Sequence, residues 1–196
     1  MLLQTIFAGS WGIAYHLRGE HQITRNQHLT TLPLLEKEWR VSFDFKANSF
    51  EGWGQIIHMT TGGPGTVTLT GPDMKYISGY GNSAKYGDRT PAIWTHPSKG
   101  FHIASAVKGQ ASYGKSFMNL PAIGEWVKVE IAQEVQVSTT FYSITLGGEK
   151  VHMTRNSKPS RFNNVSVLSS SSWYTPVSGT IKNLLIENKK NGGSYI

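Results

Sequence analysis

The chain has 196 residues, of which 16% are charged, and its formal net charge is +7. It contains no cysteine, which excludes disulfides, Cys-ligated zinc and thiol nucleophiles, and it has no window of 18 apolar residues, so we expect no membrane span. The cations are scattered and accompany no nucleic-acid-binding motif. A soluble basic face is therefore the first interpretation, an anionic polysaccharide or surface is the alternative partner, and no specific nucleic acid is expected.

Length and composition favour a single all-β domain over residues 1–196. A chain of this size can bury one sizeable core, and its 21 glycines and 8 prolines suit short strands and tight turns. Residues 1–35 are predicted to hold an N-terminal strand and loop, with a weak helical pattern at residues 32–38, and residues 189–196 are predicted to form a flexible tail. The first residues lack the positive charge of a secretory signal, so they are interpreted as a first strand or as the start of a mature chain.

The clearest strand signal lies at residues 38–46, where apolar and polar residues alternate strictly. A second strand is predicted at residues 53–60, and a short one at residues 66–70. Residues 71–89 have no usable period and are rich in Gly, Asn, Asp and Tyr. They are predicted to form a long surface loop, a type of segment that often carries function in compact domains.

Residues 86–107 are predicted to organise the chain as a β-hairpin in the middle of a sheet. Two apolar runs are joined by a turn at residues 96–100. Pro97 fixes φ at the entry of this turn, and Gly100 is expected to accept a positive φ at its exit.

The remainder of the chain is predicted to form further strands. Residues 109–116 are interpreted as a loop. Gly147 and Gly148 are predicted to form a two-residue hairpin turn of the kind that β-twist favours. Trp39 and Trp126 fall in apolar alternation and are interpreted as core residues. The predicted strands of this part lie at residues 117–120, 126–131, 139–146, 150–154, 165–169 and 180–187.

Four segments of the second half occur in an informative order: GEWVKVEI from Gly124, the strand at residues 141–146, GGEKV from Gly147 and GTIKNL from Gly179. In this order they resemble the closing half of concanavalin A-like and laminin G-like jelly rolls. Together with WRVSFDFK, GQIIHMTTGG and YGDRTPAIW, residues 36–188 also look like a recurrent module of secreted invertebrate proteins. The resemblance implies a two-sheet antiparallel β-sandwich, a fold that carries lectins, adhesion modules, lyases and hydrolases alike.

The catalytic patterns of enzymes on this fold are not found. Glu130 and Glu134 are the nearest pair of acids, but they lie about 13 Å apart along a strand, whereas a glycosidase pair needs roughly 5 to 9.5 Å. Gln55 and His58 are three residues apart, so they are expected on opposite faces of a strand unless a bulge intervenes, unlike the Gln-x-His strand of jelly-roll lyases. We therefore expect no enzyme and no catalytic residue.

Metal ligands are sparse as well. Calcium takes about six to eight oxygen ligands, and Asp73 and Asp88 are only weak candidates. Asp88 is interpreted instead as the cap of its own turn. His96 and His102 flank the hairpin turn as a zinc pair would, but they are interpreted as surface residues. No metal site and no cofactor are predicted, and calcium is not favoured.

Aromatic residues in polar segments give the best functional indication. A sugar offers a flat C–H face to an aromatic ring, and its hydroxyls need fixed polar partners. Trp94 is assigned equally to the core and to the floor of a pocket. The predicted glycan-binding residues lie in the long loop, in the hairpin and around Trp173: Tyr80, Asn82, Tyr86, Asp88, Arg89, Trp94, Trp173 and Tyr174.

The function expected from these observations is an extracellular, non-enzymatic carbohydrate-binding (lectin-like) or matrix and adhesion module. Its partner would be a carbohydrate or glycoprotein, and the chain is compatible with a homo-oligomer. The glycosylation sequon at Asn164 agrees with secretion. Two alternatives are a structural or self-assembling protein without a glycan ligand, and a polysaccharide lyase or hydrolase with an atypical site.

Overall fold

The structure is a computed structural model that describes residues 10–50, 52–62, 85–98, 100–118, 122–171 and 174–189. Within these ranges the chain forms strands joined by turns, and no helix there could span a membrane. The strands are β1 (Trp11–Gln22), β2 (His28–Leu35), β3 (Trp39–Ala47), β4 (Gly54–Thr60), β5 (Ala92–His96), β6 (Gly100–Val107), β7 (Gln110–Met118), β8 (Trp126–Gln136), β9 (Thr139–Leu146), β10 (Glu149–Arg155), β11 (Phe162–Leu168) and β12 (Gly179–Lys189).

The strands form two six-stranded sheets. The first sheet has the order β1-β12-β3-β8-β9-β10, and the second has the order β2-β11-β4-β5-β6-β7. Neighbouring strands pair antiparallel, and the sheets pack face to face over one main apolar core. The predicted all-β, two-sheet jelly-roll sandwich is confirmed.

The core is built from the inward faces of the central strands. In the first sheet, the strictly alternating strand β3 places Val41 and Phe43 inward, opposite Ile131 and Val129 of β8. In the second sheet, a row of isoleucines crosses three neighbouring strands, and each of them is fully buried. Burying such a side chain contributes about 1.5–3 kcal/mol relative to leaving it exposed. The row consists of Ile57, Ile93 and Ile103.

The N-terminal part differs from the prediction of one strand and a loop over residues 1–35, because β1 and β2 belong to different sheets. The weak helical pattern at residues 32–38 was misleading. Leu32 and Leu35 are three residues apart, as on a helix face, yet both are buried by pairing with β11. Pro33 fits this strand because β2 is the edge of its sheet, where a missing backbone N–H is tolerated.

The loop predicted at residues 109–116 is also wrong, since residues 110–118 form the edge strand β7. Lys108 and Gly109 both have positive φ, at 57° and 77°, as a tight hairpin turn requires. The short polar residues of β7 hide the strand signal, because an edge strand with one exposed side shows little apolar alternation. The brief strand predicted at residues 117–120 is the end of β7 as far as Met118; residues 119–120 lie outside the described ranges.

The central hairpin is confirmed, with β5 and β6 joined by a turn after His96. The expected role of Gly100 is wrong, because its φ is not positive. Glycine is required there for space: a Cβ at this position would collide with the carbonyl oxygen of Phe117 on β7. The Gly147-Gly148 turn between β9 and β10 is confirmed, with φ values of 59° and 88°.

The two tryptophans interpreted as core residues have different positions. Trp39 is in the core, where only 2% of its surface is exposed. Trp126 lies on the outer face of the first sheet, because the alternation of β8 turns its neighbour Val127 inward. The ammonium groups of Lys46 and Lys182 lie 4.5 and 4.0 Å from the centroid of the Trp126 ring.

Candidate functional site

A break in strand register shapes the outer face of the second sheet. Gln55 pairs with Trp94 of β5 and His58 pairs with Ala92, with a register shift between Gln55 and Ile57. Since Ala92 and Trp94 are two residues apart, they share a face, and so do their partners. The expectation that Gln55 and His58 point to opposite faces therefore fails, because a bulge does intervene.

Trp94 forms the floor of a second, smaller apolar cluster on this outer face. Its side chain is only 3% exposed, yet it is separate from the main core and packs with Ala92 and Ala104. The Tyr174 ring stands edge-on to it, with centroids 5.2 Å apart, and Trp53 packs at the same place. The small alanine side chains leave room for the three large rings.

Two histidines extend the cluster toward the hairpin turn. The rings of His96 and His102 contact Trp53, with centroids 4.7 and 5.4 Å apart. His102 also lies 5.7 Å from Trp94, and its Nδ1 is hydrogen-bonded to the Ser116 hydroxyl. Burial, followed by the charge of Arg89 and then His96, lowers the pKa of His102 to about 4, so its ring is neutral at pH 7.

The lack of a side chain at Gly114 leaves the space that the His102 ring occupies. A Cβ at Gly114 would lie 2.9 Å from Cε1 and Nε2 of the His102 ring, closer than real Cβ contacts come. The ring thus covers a stretch of bare backbone on β7. The need for a glycine here is a second reason, besides its edge position, why the sequence of β7 does not resemble that of an ordinary strand.

Arg89 ties the cluster together from the segment just before β5. Its guanidinium lies 5.3 Å from the Trp94 ring centroid and donates hydrogen bonds to the hydroxyls of Ser112 and Tyr174. The side chain of Arg89 is almost fully buried. Hereafter the aromatic face means Arg89 with Trp53, Trp94, His96, His102 and Tyr174.

Two buried N–H donors of this face have no hydrogen-bond partner within the described part of the chain: Nε2 of Gln55 and Nε1 of Trp94. The other end of the Gln55 amide is fixed, because its Oε1 accepts hydrogen bonds from the backbone N–H and the hydroxyl of Ser171, at 2.6 and 2.8 Å. An unpaired buried donor costs about 1–3 kcal/mol. Both donors belong to cross-strand neighbours, so they mark one place on the face.

His58 supports this face from below and is not accessible to a substrate. It is 1% exposed, and its Nε2 donates to the backbone carbonyl of Asp88 at 2.6 Å. Burial lowers its pKa to about 4, which keeps the ring neutral. Although Gln55 and His58 share a face, His58 cannot act as the proton-transferring group of a lyase from this buried position.

Apart from Asp88, the predicted site residues divide into three groups. Arg89, Trp94 and Tyr174 are in mutual contact on the aromatic face. Tyr86 lies elsewhere: its ring packs on Phe162 at 5.6 Å, and its hydroxyl donates to the carbonyl of Lys158. Four predicted residues lie outside the described ranges, namely Asp73, Tyr80, Asn82 and Trp173.

Asp88 caps its own turn, as expected. Its Oδ2 accepts a hydrogen bond from the backbone N–H of Lys85 at 2.6 Å, and its own N–H donates to the Lys85 carbonyl. Among the described residues, no three potential metal-ligating side chains come together. His96 Nδ1 accepts the N–H of Ser98, so it completes its local turn.

The nearest acid pair lies on the opposite side of the molecule. Glu130 and Glu134 are on the outer face of the first sheet, since Val129 and Ile131 of the same strand point inward. Glu134 forms an ion pair with Arg40 at 2.6 Å and Glu130 with Lys128 at 3.2 Å. Both carboxylates are therefore engaged by neighbouring cations.

Sequence reasoning missed Trp53 and Gln55 as parts of the site. Trp53 immediately precedes β4 and resembled the first residue of an ordinary strand. Gln55 was assigned to the wrong side relative to His58 because a bulge of one residue cannot be read from composition. The usable signal was the presence of two polar residues inside an otherwise apolar strand that is buried along its whole length.

Comparisons with known proteins identify the fold. No protein-family model matches the chain, and no curated protein does. The CBM40 domain of Ruminococcus gnavus IT-sialidase, solved with alpha2,3 sialyllactose, is similar with a TM-score of 0.57 and 11% identity over 89% of this chain and 91% of that one. Domains LG4-5 of the mouse laminin alpha1 chain give 0.51 and 15%, over 100% of this chain and 48% of theirs. A leech intramolecular trans-sialidase gives 0.50 and 13%, over 90% of this chain and 27% of its own.

These likenesses establish the fold and nothing finer, because the identities are low. The chain has the concanavalin A-like, laminin G-like jelly-roll fold, as the order of its sequence segments predicted. The similar structures include a carbohydrate-binding domain, laminin G domains and a portion, 27%, of a trans-sialidase chain. Function has to be argued from the residues of the face itself.

Proposed function

We propose that the protein is a non-catalytic carbohydrate-binding module of the lectin-like or adhesion type, and that the aromatic face holds the sugar. The observation that carries the proposal is the pair of buried donors on Gln55 and Trp94, which have no partner among the described residues and lie beside partly exposed rings. A hydroxyl oxygen that reached such a donor would satisfy it and remove its cost. Because Gln55 and Trp94 are only 0% and 3% exposed, the partly exposed rings of Trp53 and Tyr174 must shift to admit it.

The two kinds of group on the face match the two sides of a sugar. Trp53 and Tyr174 are partly exposed, so a pyranose could place its C–H side against their rings. The amide of Gln55 and the indole N–H of Trp94 are held rigidly by packing, which reduces the entropy lost on binding. The CBM40 neighbour, solved with a sialyllactose, supports a sugar ligand on this fold by analogy.

The same geometry favours binding over catalysis. None of the residues that make up the aromatic face carries a carboxylate, and His58, which supports the face from below, is only 1% exposed. Glycoside hydrolysis generally needs two carboxyl groups on either side of the scissile bond. A lyase or hydrolase with an atypical site would reveal itself by releasing chain ends from a polymer.

Binding can be tested with a glycan array followed by calorimetry on the best ligand. Trp53→Ala should weaken binding by about 1–3 kcal/mol, typical of losing one aromatic anchor. Trp126→Ala is the matched control, because Trp126 is also a partly exposed tryptophan but lies on the outer face of the first sheet. Equal affinities of both variants, or no glycan ligand at all, would contradict the proposal and favour a structural protein without a sugar ligand.

We also propose an extracellular location. The sequon residue Asn164 is exposed on β11, where an attached glycan would project into solvent. Expression through a eukaryotic secretory pathway should give protein in the medium whose mass falls on enzymatic deglycosylation, and Asn164→Gln should abolish that mass change. Retention of the full-length precursor inside the cell would contradict the proposal.

A further inference from the structure

A group of cations lies at the open edge of the sandwich where β7 of the second sheet meets β10 of the first. Both strands are the last in their sheets. The Tyr113 hydroxyl and His152 Nε2 are hydrogen-bonded across this edge at 3.3 Å, and their rings lie 5.9 Å apart. The cationic edge is defined here as Lys108, Tyr113, Lys115, His152 and Lys158.

The lysines of the edge gather around one ring. The ammonium groups of Lys108 and Lys115 lie 5.4 and 5.2 Å from the Tyr113 centroid. Their combined charge also acts on His152, whose pKa is lowered first by burial and then by Lys115 and Lys108. Tyr113 therefore gathers two like charges around one ring, where a bound anion would lower their mutual repulsion.

Carboxylates of the described residues do not pair with the lysines of the edge. Within the described part of the chain, none of the three lysines of the edge takes part in an ion pair. Elsewhere in the described ranges five cations form ion pairs, each with a Glu partner. The paired cations are Arg40, Lys46, Lys128, Arg161 and Lys189.

A buried asparagine fixes the relative position of two of these lysines. Asn156 is 2% exposed, and its Oδ1 accepts the backbone N–H groups of both Lys108 and Lys158, at 2.8 and 3.1 Å. Its amide nitrogen donates to Gln133 Oε1, which anchors it to β8. The Lys158 stem then lies over Gly109, where a Cβ would be 2.9 Å from Lys158 Cδ. The edge is thus a built arrangement of cations rather than a set of independent surface side chains.

We propose that the cationic edge binds a linear anionic polysaccharide through its sulfate or carboxylate groups. The aromatic ring at its centre is covered by two ammonium groups and a histidine, so it offers no free face for stacking a nucleobase. Recognition there depends on charge and hydrogen bonding, which a sulfated sugar polymer satisfies without bases.

This site is separate from the aromatic face and does not depend on its function. Alternation along β7 turns Gly114 and Ser116 toward the aromatic face, next to Ala104 and His102, and turns Tyr113 and Lys115 to the other side. A sugar bound at one site would therefore leave the other site open. The two assignments can fail independently.

The test uses heparin as the probe, with affinity measured at several salt concentrations. Lys108→Gln combined with Lys115→Gln should lower the affinity at least about tenfold and reduce the slope of log affinity against log salt by about two, one for each lysine. The matched control is Lys46→Gln with Lys182→Gln, which removes the same charge from two lysines that also surround one ring, Trp126. The control should change affinity less than about twofold.

Thermal unfolding of each variant shows whether it is folded. Lys115→Glu provides a second variant outside the turn, and it should lose more heparin affinity than Lys115→Gln because it reverses the charge. Equal losses in the edge and control pairs would mean that net charge alone drives binding and would overturn the site. Wild-type binding to duplex DNA as tight as to heparin would overturn the assignment to a polysaccharide. Trp53→Ala should bind heparin as the wild type does, whatever the outcome of the glycan array.

Discussion

Protonation of His58 is expected to destabilise the fold in mild acid. Its ring is fully buried beneath the aromatic face and donates from Nε2 to the carbonyl of Asp88. A second proton would place a buried positive charge beside the guanidinium of Arg89, and burial is the main reason why the pKa falls to about 4. The unfolded chain, with a pKa near 6.5, takes up this proton more readily than the folded one.

The sign and size of the effect follow from proton linkage. Above pH 6.5 the His58 ring is neutral in both the folded and the unfolded state, so the contribution of His58 to the free energy of unfolding is at its maximum. Between pH 6.5 and about 4 only the unfolded state is protonated, and stability falls as the pH falls. At most about 1.36 kcal/mol is lost for each pH unit between 6.5 and 4.5. Going from pH 7.5 to 4.5 should therefore lower the free energy of unfolding by about 2.5 kcal/mol on account of His58 alone.

The assay is urea unfolding of the wild type and His58→Gln at pH 7.5, 5.5 and 4.5. Glutamine keeps a donor for the Asp88 carbonyl but does not titrate. The variant should be less stable at pH 7.5, by about 1–2 kcal/mol for a weakened hydrogen bond, and the gap should close or reverse at pH 4.5. The exposed His16, changed to Gln, should leave the wild-type pH dependence intact. The same loss of stability with acid in wild type and His58→Gln would refute the reasoning.

Three further changes test other parts of the fold. Gly114→Ala should displace the His102 ring, because its Cβ would lie 2.9 Å from two ring atoms, and should lower glycan affinity with a small change in melting temperature; unchanged affinity would contradict this. Asn156→Ala leaves two backbone N–H groups without their acceptor and should cost at least about 2 kcal/mol in denaturant unfolding, so a loss below roughly 0.5 kcal/mol would contradict it. Asp88→Ala should cost about 1 kcal/mol through the lost bond to the N–H of Lys85, while a calcium chelator should leave the melting temperature unchanged; a large drop with chelator would favour a metal instead.

The regular part of the fold could be predicted because its physical causes are local. β3 alternates over nine residues with one side in the core, and this pattern is visible without any partner strand. Gly147 and Gly148 both have positive φ, which glycine adopts without steric cost. Segments of this kind carry their structure in their own sequence.

The candidate site could be predicted only in part, because it depends on register. Arg89, Trp94 and Tyr174 were recognisable as polar or aromatic residues in suitable segments, and they do meet. Gln55 reaches the site only because of the bulge in β4, and the residues of β7 reach it only because β7 pairs with β6. Pairing between strands is a property of two segments at once, so neither segment reveals it alone.

The buried indole N–H of Trp94, which has no partner among the described residues, can be tested for a cost to the stability of the ligand-free protein. If Trp94 keeps its N–H for a sugar, the folded protein bears the cost of that buried donor, about 1–3 kcal/mol. Trp94→Phe removes the donor together with part of the ring. The relief of the donor's cost should then offset much of the cost of the cavity that the smaller ring leaves. Trp39→Phe makes the same truncation at an equally buried site in the core. We therefore expect Trp39→Phe to lose at least about 1 kcal/mol more in denaturant unfolding than Trp94→Phe, while only Trp94→Phe weakens glycan binding. Equal losses of stability would show that the indole N–H carries no such cost, and the argument for a ligand at this place would fail with it.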